Sequence, residues 1–310
     1  MVSETCFPSP SDVAATKKRV QNWAVSFAAR SCNYSCKFID THCHIDYLYS
    51  RLEVPWETTF SKFREQHSAM FPCNYEGCVA VFCNPNTFNA DNPKDHILKT
   101  IAMEDGIWLA FGCHPKHAAE FTDAHLGGLR QILKHPKVVA LGEIGLDYSG
   151  PFSQHSDIQK LVFRQQIQLA LELQLPLVIH CRDADDDCLE ILTQMVPCNH
   201  KIHAHCFTRG IDVAERWLGH FPNLFLGLTP VITYKSAVGA ISTAESISLD
   251  RLLLETDAPF FVPSVLYKDV RYSYPGFALF TAEKVAQLRH ISVDEVLTAC
   301  RENTKKMYGI

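Results

Sequence analysis

The sequence predicts an α/β protein, a (β/α)₈ barrel of the TIM type, on three observations. From Lys37 onward, short apolar runs alternate with longer stretches of helical periodicity. The short runs place Val, Ile, Leu and Phe on consecutive positions. That is how strands buried on both faces read, and such strands belong to parallel sheets. Eight of these runs fill the rest of the chain, which is the strand number of a closed β/α barrel. The rival is an open doubly wound sheet. No G-x-G-x-x-G follows the first strand, and neither a Walker A loop nor a G-x-S-x-G elbow is present.

Two segments follow from this, a leader over 1–36 and a barrel over 37–310. Between Val13 and Cys36 the leader has no acid but carries Lys17, Lys18, Arg19 and Arg30. Val20, Trp23, Ala24, Phe27 and Ala28 fall at helical spacing, as in a helix packed on the main domain or a partly flexible tail. An acid-poor basic start also resembles a mitochondrial transit peptide, against which Glu4 and Asp12 count. Cys32 and Cys36 have the spacing of half a zinc site, but no matching second pair follows.

In the barrel, the strand candidates are 38–42, 78–83, 107–113, 138–144, 175–181, 201–207, 223–228 and 251–257. Helices are expected between them, with Asp157 and Asp294 as N-caps of the stretches they open. The longest loops are expected after the first strand and at 258–276, both rich in Pro and aromatic residues.

At 310 residues, 47% hydrophobic and 20% charged, the chain can bury a large core, and wholesale disorder is excluded. No apolar run approaches a membrane span. With 29 basic against 34 acidic residues, net −5, it does not coat duplex nucleic acid by bulk charge. The 13 cysteines are an odd number, and the N-terminus lacks the n- and h-regions of a secretory signal. Reduced thiols in an intracellular protein, nuclear or cytoplasmic, are therefore expected.

The 15 histidines carry more information. His42 and His44 end the first strand run, and their i, i+2 spacing puts both on one face. Glu143 ends the fourth run, His180 the fifth, His205 the sixth and Asp257 the eighth. In a parallel barrel these ends share one mouth, where the chemistry of such barrels sits. Four imidazoles and two carboxylates suit Zn²⁺ or Mn²⁺ better than Mg²⁺. They are too many for one tetrahedral ion and fit two. Glu143, from the middle of the strand order, is the candidate bridge, and Asp257 the candidate base.

Arg182 lies at the same mouth, as a phosphate clamp or as the partner of Asp183 or Asp185. His114 and Lys116 follow the third strand there. His203, Asp40 and Asp147 are placed to support the ligands. Tyr148, Phe207, Tyr234, Phe260 and Tyr272 lie near the mouth, where aromatics stack on bases. Cys43, Cys83, Cys113, Cys181 and Cys206 adjoin the ligands and are read as buried fillers turned away from the mouth.

The blocks FIDTHCHID, FGCHP, LGEIGLDY, LPLVIHCRDA, HCFT, LLLETDAP and RENTKKMYG, in this order over 37–310, resemble the signature of TatD-type metal-dependent nucleases. The Cys-rich flavour is most similar to the animal members. The resemblance implies a barrel of the metal-dependent hydrolase (amidohydrolase-like) type, hydrolysing phosphodiester bonds in DNA and, in some members, RNA. It implies two divalent ions per chain (Zn, Mn or Mg). His42 and His44 would hold one ion, His180 and His205 the other, Glu143 would bridge, and Asp257 would ligate and act as base.

Two departures stand out. Arg209 occupies the place of the Gly in the family's HCFTG, so either the loop differs locally or Arg209 adds a phosphate contact. Lys116 stands where the family often has His.

The expected activity is that of a deoxyribonuclease, exonucleolytic on single-stranded or frayed ends, probing nucleic acid as a monomer. The alternative is a metal-dependent amidohydrolase or lactonase acting on a small molecule. Many of those bridge their metals with a carbamylated Lys on the fourth strand, where this chain has Glu143. A barrel kept only as a binding scaffold would be expected to have lost a ligand.

Overall fold

In the computed structural model, which describes residues 23, 27, 29, 31–88 and 100–310, one parallel sheet runs in chain order from β1 to β8. The strands are β1 (Phe38–Cys43), β2 (Tyr75–Phe82), β3 (Ile107–Phe111), β4 (Val138–Asp147), β5 (Leu177–Arg182), β6 (Ile202–Ala204), β7 (Leu224–Leu228) and β8 (Leu252–Leu254). Each neighbouring pair is parallel. The expected (β/α)₈ architecture is therefore present. β7 and β8 are buried at every position, as consecutive apolar residues require, and β1 is buried throughout although it carries Asp40, Thr41 and His42.

Helices cover the outside: α1 (Ile45–Arg51) and α2 (Phe60–Gln66), then α3 (Asp123–Ile132), α4 (Ser156–Leu173), α5 (Asp185–Met195), α6 (Ile211–His220), α7 (Val238–Ser246), α8 (Ala278–Arg289) and α9 (Val293–Tyr308). No helix among the described residues is long and apolar enough to cross a membrane.

Both N-cap expectations need correction. His155 precedes α4, and Asp157 sits inside the first turn, where a carboxylate faces the positive end of the helix dipole. Ser292 caps α9, and Glu295 returns the bond as a capping box. Asp294 instead accepts from the backbone N–H groups of Ser35 (2.9 Å) and Cys36 (3.2 Å), tying the leader to α9.

In the leader, Phe27 stacks on Phe280 of α8 at 4.9 Å, and Trp23 stacks on Phe27 at 5.3 Å. Val20, Ala24 and Ala28, and the basic residues of the transit-peptide reading, lie outside the described residues. Cys32 and Cys36 do not form half a metal site. Cys32 faces Cys73 (Sγ–Sγ 3.0 Å), and Cys36 faces Thr298 at 2.9 Å.

The seam between β8 and β1 closes at the mouth. Asp257 donates its N–H to the His42 carbonyl (2.9 Å), and His44 donates to the Ala258 carbonyl (2.7 Å). Asp40 stitches the seam from below. Its carboxylate accepts from His42 N (3.2 Å), Thr256 N (2.9 Å) and Thr256 Oγ1 (2.5 Å). Asp40 thus holds the chain around His42 rather than its imidazole.

Candidate metal centre

Glu143 and His180 do not end their strands, as the sequence suggests; both lie within them. β4 runs on to Asp147 and pairs with β5 beyond them, Gly145 with His180 and Asp147 with Arg182. A register shift between Leu141 and Ile144 brackets Glu143. Such a bulge re-aims a side chain without ending the strand. β6 and β8 are shorter than their apolar runs, so His205 and Asp257 stand on the connections that follow. Asp257 and Cys206 have left-handed backbones (φ 53° and 46°), in the tight turns that swing the chain across the mouth.

The six residues converge. Glu143 Oε2 lies 3.5 Å from both His42 Nε2 and His44 Nε2. Glu143 Oε1 lies 2.6 Å from His180 Nδ1 and 3.2 Å from His205 Nε2. Asp257 Oδ1 is 3.2 Å from His44 Nε2 and 3.7 Å from His42 Nε2. Ligand atoms of His42, His44 and Glu143 lie within 4.8 Å of one another, as do those of His42, His205 and Asp257, and those of Glu143, His180 and His205. These carboxylate oxygens and imidazole nitrogens are donors of the kind that could hold divalent cations.

The outward nitrogens fit that role. His44 Nδ1 lies 3.0 Å from the Val81 carbonyl, which accepts only a proton-bearing nitrogen, so in the neutral ring Nε2 turns a lone pair inward. His205 Nδ1 lies 3.2 Å from Glu255 Oε1, and His180 Nε2 lies 3.3 Å from Asp147 Oδ2. His42 Nδ1 is buried without a hydrogen-bond partner among the described residues. His114 is different. Its Nδ1 accepts the Lys116 N–H (3.0 Å), so in the neutral ring Nε2 carries the proton. That N–H points toward Glu143 Oε1 at 3.5 Å, and the ring also groups with Asp147 and His180, their ligand atoms within 4.8 Å of one another.

Burial works against the charge on Glu143, but the imidazoles of His205, His114 and His180 outweigh it and hold its carboxyl well below the usual range. Burial likewise opposes a charge on His205, and Glu143 and Glu255 overcome it, holding this imidazole well above its ordinary value. Burial and neighbouring His205 leave His42 pushed down to about 4. A metal-free pocket of this composition retains protons that a cation would replace.

The centre opens into a cavity of about 610 Å³. Arg182, Lys116 and Arg209 all line it, with unequal freedom. Arg209, rather than Arg182, pairs with Asp183 (3.2 Å) and Asp185 (3.0 Å). Lys116 Nζ lies 3.4 Å from Asp147. Arg182 is exposed, and no acid pairs with it among the described residues. Arg209 is not among the residues with left-handed backbones, so its position does not demand the missing Gly.

Of the expected aromatics, Tyr234 and Phe260 line the cavity, joined by Tyr47 and Phe261, which the sequence reading missed. Tyr148 instead donates to Asp187 (2.6 Å), Phe207 is core, and Tyr272 lies beneath Arg51 and Arg271. The cysteines also divide. Cys43 and Cys113 are buried, but Cys83, Cys181 and Cys206 line the cavity. Cys83 follows the end of β2 and Cys206 has the left-handed backbone, so strand alternation does not turn them away.

Glu255 was also missed. It stands two residues before Asp257, and in an extended run that spacing puts both carboxylates on one face.

A sequence profile described as TatD related DNase matches residues 39–309. The chain belongs to the TatD related DNase family. The "3'-5' RNA nuclease TATDN2" of Homo sapiens is 44% identical over 274 residues, 88% of this chain. The match spans only 35% of that longer relative. The "3'-5' ssDNA/RNA exonuclease TatD" of Erwinia billingiae is 34% identical over 206 residues, 66% of this chain and 78% of that one. The crystal structure of YJJV, a TatD homolog from Escherichia coli k12, superposes with a TM-score of 0.74 at 26% identity. It covers 89% of this chain and 99% of that one. Membership in the TatD related DNase family agrees with the order of motifs along the chain and with the barrel that carries them.

Proposed function

We propose that the chain is a metal-dependent phosphodiesterase that removes nucleotides from the 3' ends of single-stranded or frayed RNA and DNA. The observation that carries this reading is Glu143, buried with His42 and His44 at one oxygen and His180, His205 and His114 at the other. The 3'-5' polarity and the inclusion of RNA follow the activities named for the human and Erwinia relatives. Deoxyribonuclease activity is one arm of the proposal.

His42, His44 and Asp257 would hold one divalent ion, His180 and His205 the second, with Glu143 between them. Two such ions supply an activated water and neutralise charge on the phosphate. Asp257, at the cavity wall, accepts the proton of the attacking water. Arg182 grips phosphate oxygens with its unpaired fork. The His114 Nε2–H donates to another oxygen without adding charge. Lys116 and Arg209 contribute less, because Asp147, Asp183 and Asp185 already occupy them. Tyr47, Tyr234, Phe260 and Phe261 offer ring faces to the unpaired terminal bases.

The test uses RNA and DNA oligonucleotides labelled at the 5' end, incubated with Mn²⁺, Mg²⁺ or Zn²⁺. A ladder shortening from the 3' end is expected, abolished by chelator and by Asp257→Asn. Full activity in excess chelator would sink the proposal. So would turnover of small esters or amides with no phosphodiester cleavage, which is the outcome expected of an amidohydrolase or lactonase.

A further inference from the structure

Behind His205 runs a line of buried polar groups that the proposed reaction does not use. His205 Nδ1 lies 3.2 Å from Glu255 Oε1, and Glu255 Oε2 lies 2.9 Å from His203 Nε2. His203 Nδ1 lies 2.6 Å from the hydroxyl of Tyr308, at the end of α9. The Cys206 N–H donates to Glu255 Oε1 at 2.5 Å. Glu255 and His203 are fully buried and Tyr308 is 7% exposed. The line thus crosses the barrel interior from the mouth to the C-terminal helix.

Such a row is expensive to bury unless its members satisfy one another. Gly227 on β7 makes room for it. A Cβ there would stand 2.3 Å from His203 Nε2 and 2.5 Å from Glu255 Oε2. Close packing of backbone against the pair leaves neither side chain another place to go. The four histidines around Glu143 are not backed alike. His44 Nδ1 rests on a backbone carbonyl and no carboxylate lies within ion-pair distance of His42 Nδ1 among the described residues, whereas His205 Nδ1 lies at ion-pair distance from a carboxylate that also accepts the Cys206 N–H.

We infer that Glu255, held by His203 and Tyr308, is a positioning residue that fixes the His205 ring and thereby sets the affinity of one of two metal positions, the one built from Glu143, His180 and His205. The inference rests on the metal reading proposed above. A carboxylate behind a ligating imidazole fixes its tautomer and raises its basicity, and losing one weakens metal binding by about 10- to 100-fold. Tyr308 acts two contacts farther out, so its hydroxyl matters less. The larger effect falls on this position because Glu255 lies directly against His205, whereas it reaches His42 only through the rings of His205 (centroids 3.7 Å apart) and His203 (6.3 Å).

Mn²⁺ is titrated calorimetrically into the full chain, wild type and the variants Glu255→Gln and Tyr308→Phe, with the visible spectrum of the Co²⁺-loaded protein as a second readout. Wild type is expected to take up two ions. In Glu255→Gln one site weakens about 10- to 100-fold while the other stays within about threefold, and one component of the Co²⁺ spectrum changes. Tyr308→Phe weakens the same site by a smaller factor. It deletes one hydroxyl, and so keeps the test open if Glu255→Gln does not fold. Equal weakening of both sites, or no change in either site of a folded variant, overturns the inference. A wild type that binds no divalent ion overturns the metal reading first, and the inference with it.

Discussion

Replacing Asp40 with Ala should cost the metal-free protein about 2–6 kcal/mol. The carboxylate accepts the backbone N–H groups of His42 and Thr256 and the hydroxyl of Thr256, all deep in the β1–β8 seam. Alanine strands two buried N–H donors, and each unsatisfied buried donor costs about 1–3 kcal/mol. The hydroxyl adds little, because Thr256 Oγ1 keeps its bond from the Ala258 N–H at 3.0 Å. A loss of this size is a large share of the roughly 5–15 kcal/mol that stabilises a typical domain. Asparagine keeps the shape and one carbonyl acceptor for both N–H groups, so Asp40→Asn should cost no more than about 1.5 kcal/mol, the scale of a single net hydrogen bond. Urea denaturation in chelator reads both variants without a contribution from bound metal. If Asp40→Ala unfolds within about 1 kcal/mol of wild type with an unchanged m-value, the seam does not depend on this residue and the reasoning is wrong.

Arg182→Ala should lower kcat/KM on oligonucleotides by about 10- to 100-fold, the equivalent of about 1.5–3 kcal/mol for a charged hydrogen bond. Arg209→Ala should cost less than tenfold, and steady-state kinetics that rank the two the other way would refute the assignment of the free clamp. Phe260→Ala should weaken binding of single strands by about 1–3 kcal/mol if a base stacks there, while leaving cleavage of a small chromogenic phosphodiester intact. Equal losses on both substrates would count against stacking. Metal affinity should rise with pH. Burial opposes protonation of His180 and His205, but Asp147 and Glu143 for the first, and Glu143 and Glu255 for the second, hold both above their ordinary values. Both therefore keep protons that a cation must displace, and lower pH strengthens that competition. Calorimetry in buffers of different ionisation enthalpy should show net proton release, and a buffer-independent heat would contradict it.

The architecture was legible because burial on both faces leaves a direct trace in composition. Runs such as VVALGEI and NLFLGL have no polar alternation to hide them. His42 and His44 were legible for a related reason, since two histidines at strand spacing have few other uses. What sequence could not show was irregular backbone. The bulge at Glu143 lets β4 continue to Asp147, so a residue expected at a strand end lies within the strand. The left-handed turn at Cys206 puts a thiol on the cavity wall where alternation would turn it away. Ion-pair choice was hidden as well. Asp183 and Asp185 sit nearest Arg182 in the chain, yet the fold delivers Arg209 to them from beyond β6. Glu255 was overlooked because an acid in the run RLLLETD reads as the approach to Asp257, and its partner His203 arrives from another strand.

The seam that joins β1 to β8 also sets the order in which the molecule becomes competent during synthesis. His42 and His44 leave the ribosome more than 200 residues before Asp257 and the Ala258 carbonyl that accepts from the His44 N–H. Until then the first two ligands have no final partner strand. A nuclease of this fold would thus emerge from the ribosome without a finished centre, and would acquire one only as β8 docks. Stalled nascent chains offer a direct view of that timing: those halted with Asp257 still inside the exit tunnel should show no metal-dependent cleavage, and those that expose Tyr308 should.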